Sequence, residues 1–496
     1  MKQSREQQQS VDITLLLEGS YPFVVGGVSS WVHQMIQAFP QYQFAIIFLG
    51  SRSEDYPQGL RYELPKNVVH LEKHYLFSDE DSDHGTLIKR QKHHHPLSGF
   101  YLLEGLADQA GLDKFHDLNF YIDVKKYKTF DSFFETSVSW SFIVTTYSKY
   151  CTDPSFINYF WTVLSLQKPL WKIAKIAQDF IETKLIHAIS TGYAGFLGAI
   201  LNRHYHYPLV LTEHGIYTKE RRIELLQTQI LGEADLSQRF ATEISYFRNL
   251  WMRYFEVLSR LCYQFANPIT CLYQGALKKQ IEEGAEESRT QIIPNGIDVE
   301  KFAKFRHEVD LADNPILCLI GRVVPIKDIK TFIRSMSIIV KHVPKAEAWI
   351  VGPVDENKEY YQECQNLISV LDLNHRIKIK PGRQDVAEIY PKIALLILSS
   401  ISEGMPLVVL EGFAAGVPAV TTAVGNCRDL IEGTDDKEDK ALGLAGRIVQ
   451  IADPQKLANA CLELLQNNNE WQGAQKAAIA RVEKYYDQAL MFRRYQ

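Results

Sequence analysis

The sequence predicts an α/β protein of two domains, each a parallel sheet wrapped by helices. Three observations predict it. Short apolar runs such as DITLLL, FAIIFLG, PILCLIGR and ALLILSS read as strands buried on both faces. Stretches with a 3.6-residue apolar period separate them. The alternation stops over about residues 73–170, weakens again over 301–314, and then restarts cleanly. At 496 residues the chain is also too long for one ordinary domain.

Composition narrows the class. The hydrophobic fraction of 46% and charged fraction of 23% belong to a soluble globular chain with a large core. A formal charge of −5 gives nucleic-acid binding no basic face. The polar start MKQSREQQQS and the short run DITLLL, ended by Glu18, do not make a signal peptide. No window approaches the ~20 apolar residues of a membrane span. Seven scattered cysteines without a C-x-x-C pair suggest reduced thiols in the cytoplasm, and a zinc site has no support.

The first domain is expected over residues 1–305. Its first strand, 11–17, leads through EGSYPFVV to Gly26-Gly27, which opens a helix with apolar Val28, Trp31, Val32, Met35, Ile36 and Phe39. A glycine turn at a helix N-terminus can bring backbone N–H groups to a phosphate. It serves equally as a tight turn, and G-x-G-x-x-G is absent. Strands follow at 44–50 and 67–72. Residues 73–170, rich in aromatic, Asp, Lys and His residues, read as a largely helical insertion. His93, His94 and His95 precede Pro96 in a basic loop; adjacent histidines do not converge on one metal from a regular element. After a helix ending near Thr183, strands are expected at 185–190 and in PLVLTEHG, with Glu213 and His214 at its carboxyl end. Long helices at 218–230 and 238–265, the strand NPITCLY, the helix QGALKKQIEEG and the segment TQIIPNGIDVEKF complete this half. Residues 301–314 read as an interdomain linker.

The second domain is expected over 306–480. PILCLIGR, AEAWIVG, HRIKIKPG, ALLILSS, PAVTTAV and GRIVQI are its strands. A final helix over 481–496 is expected to pack back on the first domain. Two such domains would face a cleft, with ligands outside the carboxyl ends of the strands.

The chemistry gathers on those ends. Gly321-Arg322 closes the strand PILCLIGR, and Lys327 follows. Arg offers a planar fork for phosphate oxygens and Lys a mobile point charge. After ALLILSS come Glu403 and, with seven residues between, Glu411 in the helical run LVVLEGFAAG, which stops at Gly416. Any one of these side chains is commonly a solvated surface group. Their coincidence with Gly425 and Gly26-Gly27 on strand ends argues for a site.

The runs GRVVPIK at 321–327, SEGMPLVVLEGFAAGVPAV at 402–420 and AVGN at 423–426 resemble the retaining GT-B glycosyltransferases of family GT4. The early GGV, EHG at 213–215 and PNGID at 294–298 match that family in the same order, so the resemblance spans 11–50 and 185–470. It implies a GT-B fold of two Rossmann-like domains, the first carrying the helical insertion. It implies transfer of a sugar from a nucleotide sugar, with UDP favoured and both UDP-glucose and a UDP-N-acetylhexosamine open. Arg322 and Lys327 would stabilise the departing diphosphate, helped by the helix N-terminus after Gly425. Glu411 would accept from ribose hydroxyls. Glu403 would contact the donor sugar, aided by the amides around Gly404, Met405 and Leu407. Gly26 and Gly27 would admit backbone to the diphosphate, and His214 would lie near the sugar. No enzymatic nucleophile stands out, so front-face attack by the acceptor hydroxyl is expected.

The long insertion departs from the compact family pattern. It and the opening resemble cytosolic members that build exopolysaccharide, which implies a glycan acceptor and partners in an inner-membrane export complex. No Asp-x-Asp motif stands in the α/β core, so no metal and no other cofactor is expected. Two other readings stay open. A nucleotide-sugar epimerase would isomerise sugar without an acceptor. A non-catalytic UDP-sugar-binding regulatory subunit would bind without turnover.

Overall fold

A computed structural model describes residues 11–78, 129–153, 155–227, 245–307, 309–382 and 389–496. The chain divides into two compact units, one of residues 1–271 and 276–292, the other of 272–275 and 293–496. Each is a parallel α/β sheet, as the alternating pattern predicts.

In the first unit the described strands are β1 (Val11–Glu18), β2 (Phe44–Gly50), β3 (Val68–Tyr75), β4 (Thr183–Ala188), β5 (Leu209–Glu213), β6 (Ile269–Cys271) and β7 (Thr290–Ile292). Their order is β3-β2-β1-β4-β5-β6-β7. The apolar runs lie in the middle because central parallel strands are covered on both faces: all seven residues of β2 are buried. The order reverses between β1 and β4, so their carboxyl ends form the unit's switch point. Leu16, Ile47, Ile186 and Leu211 pack with Phe196, Leu197 and Ile200 of the helix Tyr193–Tyr205 in one core.

The described part of the insertion joins the same core. Its helix Phe156–Gln178 contributes Val163, Leu166, Leu170 and Ile173. Ser155 caps its start by accepting from the Asn158 N–H at 3.2 Å. Lys172, buried on that helix, donates to the carbonyls of Tyr75 and Ser78 at 3.0 and 2.9 Å, tying the helix to the end of β3. The histidines at 93–95 and the helical expectations over 79–128, 228–230 and 238–244 lie outside the described residues.

In the second unit β8 (Ile316–Ile320), β9 (Glu347–Gly352), β10 (Ile377–Pro381), β11 (Leu395–Leu398), β12 (Ala419–Thr422) and β13 (Gly446–Val449) run in the order β10-β9-β8-β11-β12-β13. The switch point is therefore between β8 and β11. Arg481, on the helix Asn468–Tyr485, is fully buried and donates to Asp439 at 2.6 Å. Its other nitrogens donate to the carbonyls of Ile431 and Gly443, both at 2.9 Å. Thr434 donates through its N–H to the second Asp439 oxygen at 2.8 Å. A buried pair satisfied on every side holds its place, whereas a half-satisfied one would not.

Three expectations concern this division. The division falls after 292, ahead of the expected boundary at 305/306. Residues 301–314 are no plain linker: the helix Val299–Ala303, capped by Asp298, buries Phe302 against Tyr390 of the second unit's core. The final helix, Gln488–Tyr495, follows a bridge between Ile297 and Asp487. Its neighbours Gly296 and Ile297 lie inside the expected first domain, 1–305, and within the second compact unit. A Cβ at Gly296 would stand 2.5 Å from the Gln488 Cα, which requires glycine there.

Candidate active site

The carboxyl rim of the second sheet is built by three loops. Gly321 follows β8 and donates to the Val351 carbonyl at 2.8 Å. Gly352, at φ +149°, lets the end of β9 close on it; a Cβ there would lie 2.1 Å from the Gly321 oxygen. Arg322 then projects outward, and its Nη1 donates to both Glu356 carboxylate oxygens, at 2.6 and 2.9 Å. Both side chains are half exposed, so this pair is weak and easily exchanged for another anion.

Lys327 ends the single turn Pro325–Lys327. Its Nζ lies 2.5 Å from Glu403 Oε1, with the two side chains only 19% and 13% exposed. Ser400 donates to the same oxygen at 2.6 Å. The loop after β11 is fastened to that turn: Ser399 Oγ donates to the Lys327 carbonyl at 3.0 Å, and Ile401 N–H to the Ile326 carbonyl at 2.8 Å.

The third loop follows β12. Gly425 has φ +53°, and a Cβ on it would fall 2.1 Å from the Gly404 oxygen and 2.4 Å from that of Glu403. Asn426 N–H donates to Gly404 at 2.8 Å. Gly425 is thus required twice, by its backbone angle and by the approach of the glutamate loop. The helix that follows, Cys427–Glu432, is six residues long.

Met405 is buried and anchors the glutamate loop in the apolar core. Leu407 begins the helix Leu407–Ala414 after Pro406, which supplies no side-chain cap. First-turn N–H groups of a helix have no intrahelical partner. Glu411 lies on this helix and accepts from the buried Tyr390 hydroxyl at 3.0 Å.

The first unit places Gly26, Gly27 and His214 on its own rim. Gly26 is extended at φ 179°, and a Cβ there would meet nothing within 4 Å, so the backbone at this turn is open. Gly27 begins the helix Gly27–Ala38. Tyr21, in the loop before it, pairs with His33 Nδ1 on that helix at 3.1 Å. Trp31, also on that helix, meets the His214 ring edge-on at 4.6 Å between centroids. The Nε2 atom of His214 is buried without a hydrogen-bond partner. Burial, with His187 nearby, pushes its pKa down to about 3, so the ring is neutral at ordinary pH.

Glu213, beside it, is fully enclosed. It accepts from the Tyr217 N–H at 2.9 Å, Tyr263 at 2.8 Å and Gln280 at 2.9 Å. Burial still outweighs these bonds and raises its pKa to about 7. Glu18, at the end of β1, accepts from the Tyr193 N–H at 2.8 Å and the Tyr217 hydroxyl at 2.7 Å.

Within the second unit the structure brings Lys327, Glu403, Gly404 and Gly425 together. It sets Glu411 with Tyr390 and Arg322 with Glu356. Sequence reasoning missed Tyr390, Ser400, Glu356 and Glu18. Glu18 had a signal, a charge at the carboxyl end of a buried strand before a glycine. Tyr390 and Glu356 had none, because their partners are distant in sequence. Among the described residues no cluster of three or more His, Cys, Asp or Glu could hold a metal ion, and no helix is long and apolar enough to cross a membrane.

Fold and sequence comparisons agree on the class. Residues 314–467 match the family described as Glycosyl transferases group 1. The crystal structure of Anabaena HepE in complex with UDP covers 98% of this chain and 98% of its own at 16% identity, with a TM-score of 0.60. WaaG, a glycosyltransferase involved in lipopolysaccharide biosynthesis, gives 0.54 at 12% identity with the same coverage. At such identities the likeness is one of fold. The fold is that of the GT-B glycosyltransferases, and residues 314–467 carry the group 1 glycosyltransferase domain.

The chain belongs to the family described as Domain of unknown function (DUF3492), which matches residues 11–288, more than half its length. An Escherichia coli UDP-Gal:alpha-D-GlcNAc-diphosphoundecaprenol alpha-1,3-galactosyltransferase is 24% identical over 332 residues, 63% of this chain and 72% of that protein. A D-inositol 3-phosphate glycosyltransferase of Kribbella flavida is 30% identical over 156 residues, 29% of this chain and 37% of that one.

Proposed function

We propose that the protein is a retaining hexosyltransferase. It moves a hexose or N-acetylhexosamine from a UDP-sugar to a growing exopolysaccharide in the cytosol. The carrying observation is the rim of the second sheet, where Lys327 and Glu403 meet at 2.5 Å beside the Gly404–Gly425 contact. A donor diphosphate offers Lys327 an anion to replace Glu403, and the released carboxylate can then take hydroxyls of the sugar. Arg322 exchanges its exposed partner for the same diphosphate. Glu411 accepts from the ribose. Negative charge grows on the leaving diphosphate, so cations fixed here lower the barrier.

The bond between the sugar's anomeric carbon and the diphosphate oxygen breaks, and the acceptor oxygen bonds to that carbon on the same face. The acceptor's proton passes to the departing phosphate. Neutral His214 serves the sugar as a dipole or through its carbonyl, and Gly26 and Gly27 admit the diphosphate to backbone. The UDP named for the Anabaena protein supports this donor class, and the galactosyltransferase supports a lipid-linked or polymeric acceptor. The finer reading is a PelF-type transferase of Pel exopolysaccharide synthesis, held at the inner membrane by export partners. The likeness of LLLEGSYPFVVGGVSSWVHQ and of the insertion supports it.

The test is incubation with UDP-glucose and UDP-N-acetylhexosamines, with and without glycan acceptor, in chelator. Transfer with retention is expected. An isomerised sugar without acceptor, binding without turnover, or a strict magnesium requirement would each contradict a part of this reading.

A further inference from the structure

We propose that Tyr390 is a positioning residue: its phenol fixes the carboxylate of Glu411 for the ribose hydroxyls of the bound nucleotide. The inference rests on the reading of Glu411 just given and deepens it.

A glutamate on a helix has three rotatable side-chain bonds, and holding one orientation costs conformational entropy on binding unless something fixes it first. Tyr390 is built to do so. It opens the turn Tyr390–Lys392, which leads into β11, the strand that carries the glutamate loop. Its side chain is fully buried, with Ile389 and Ile393 in the same apolar core. Phe302 meets its ring edge-on at 5.7 Å and 84°. A ring held on these sides has one place for its hydroxyl, and there it donates to Glu411 Oε2 at 3.0 Å.

Burial and the adjoining carboxylate hold the phenol's pKa well above its ordinary value, so it stays a donor at every working pH. The short helix Val299–Ala303 gains a purpose by the same geometry: Phe302 is the back wall of this support. A purely structural tyrosine would also need a buried partner for its hydroxyl. The two roles differ in what they do to ribose recognition.

The experiment titrates UDP and 2′,3′-dideoxyuridine 5′-diphosphate calorimetrically into wild type, Tyr390→Phe, Glu411→Ala and the double variant, with thermal melts as a check on folding. Wild type should prefer UDP by about 10- to 100-fold, the worth of one hydrogen bond to a charged group. Y390F should cut that preference about 3- to 10-fold by weakening UDP alone. E411A should nearly abolish it, and adding Y390F to E411A should change nothing more. An unchanged preference in Y390F beside a collapse in E411A would overturn the proposal and leave the role of Glu411 standing. Equal weakening of both ligands by Y390F would also overturn it, as the mark of a structural role. An E411A preference equal to wild type, or no UDP binding by wild type, would instead overturn the reading of Glu411, and the proposal with it.

Discussion

The two sheets share one strand order around their switch points, yet their rims are built from opposite materials. At the first rim the groups after β5 are enclosed, beside the carboxylate of Glu18 and the exposed Gly26-Gly27 turn. His214 is held unprotonated by burial, and Glu213 has its pKa raised to about 7. The second rim is charged and partly open, with Arg322, Lys327, Glu356, Glu403 and Glu411 on its loops and helix. The glycines follow the same division. Gly26 faces open space, while Gly425 closes on the glutamate loop. One fold therefore supplies acids locked by buried donors in one unit and ion pairs nearer to water in the other. Arg322 and Glu356, half exposed, trade partners at little cost, whereas the more enclosed Lys327 and Glu403 need an anion in return.

The largest break in this comparison is expected from Lys327→Ala. Loss of the cation at the second rim should lower sugar transfer at least ~100-fold, beyond the stability lost by leaving the enclosed Glu403 without its partner; wild-type turnover would remove the lysine from the chemistry. Next comes Gly425→Ala. Its positive φ and the clash with Gly404 should destabilise the second unit by about 2 kcal/mol, measured by urea unfolding. A neutral result would mean that the two loops do not close as described.

His214→Gln sharpens the first rim. The unfolded chain takes up a proton near pH 6.5, whereas the folded ring does so only near 3. The histidine's contribution to stability is therefore whole above pH 6.5 and is lost as the pH falls toward 3. Glu213 acts the other way, since its raised folded pKa favours the fold at low pH and that favour fades as the pH rises through about 7. Urea midpoints between pH 7 and 4 should thus fall less steeply in H214Q than in wild type; parallel slopes would contradict the enclosed, neutral histidine. The smallest effect is expected from Gly26→Ala, which should alter stability by less than ~0.5 kcal/mol. Any loss of donor affinity in that variant then reports on ligand contact and not on folding.

The sequence made the central strands and the long helices plain, because apolar runs and 3.6-residue periods follow from burial on fixed faces. Edges and short pieces were less legible. TQI at 290–292 has too few residues to show a period, yet it completes the first sheet. The charged helix Val299–Ala303 looks like a linker until Phe302 is seen against Tyr390. At the second rim, glycines, cations and acids were readable as types at strand ends. Their partners were not: Lys327 with Glu403 and Glu411 with Tyr390 are chosen by the packing of distant loops. Glu18 was visible only as the end of an apolar run, while its work is to hold Tyr193 and Tyr217.

The central claim is that the second rim takes a nucleotide diphosphate through Lys327. Calorimetric titration of UDP into wild type and K327A, both in chelator, tests it directly. The account predicts saturable binding by wild type and an affinity at least ~10-fold lower in the variant, the worth of one charge-assisted contact. Equal affinities, or no binding by the wild type, would contradict it.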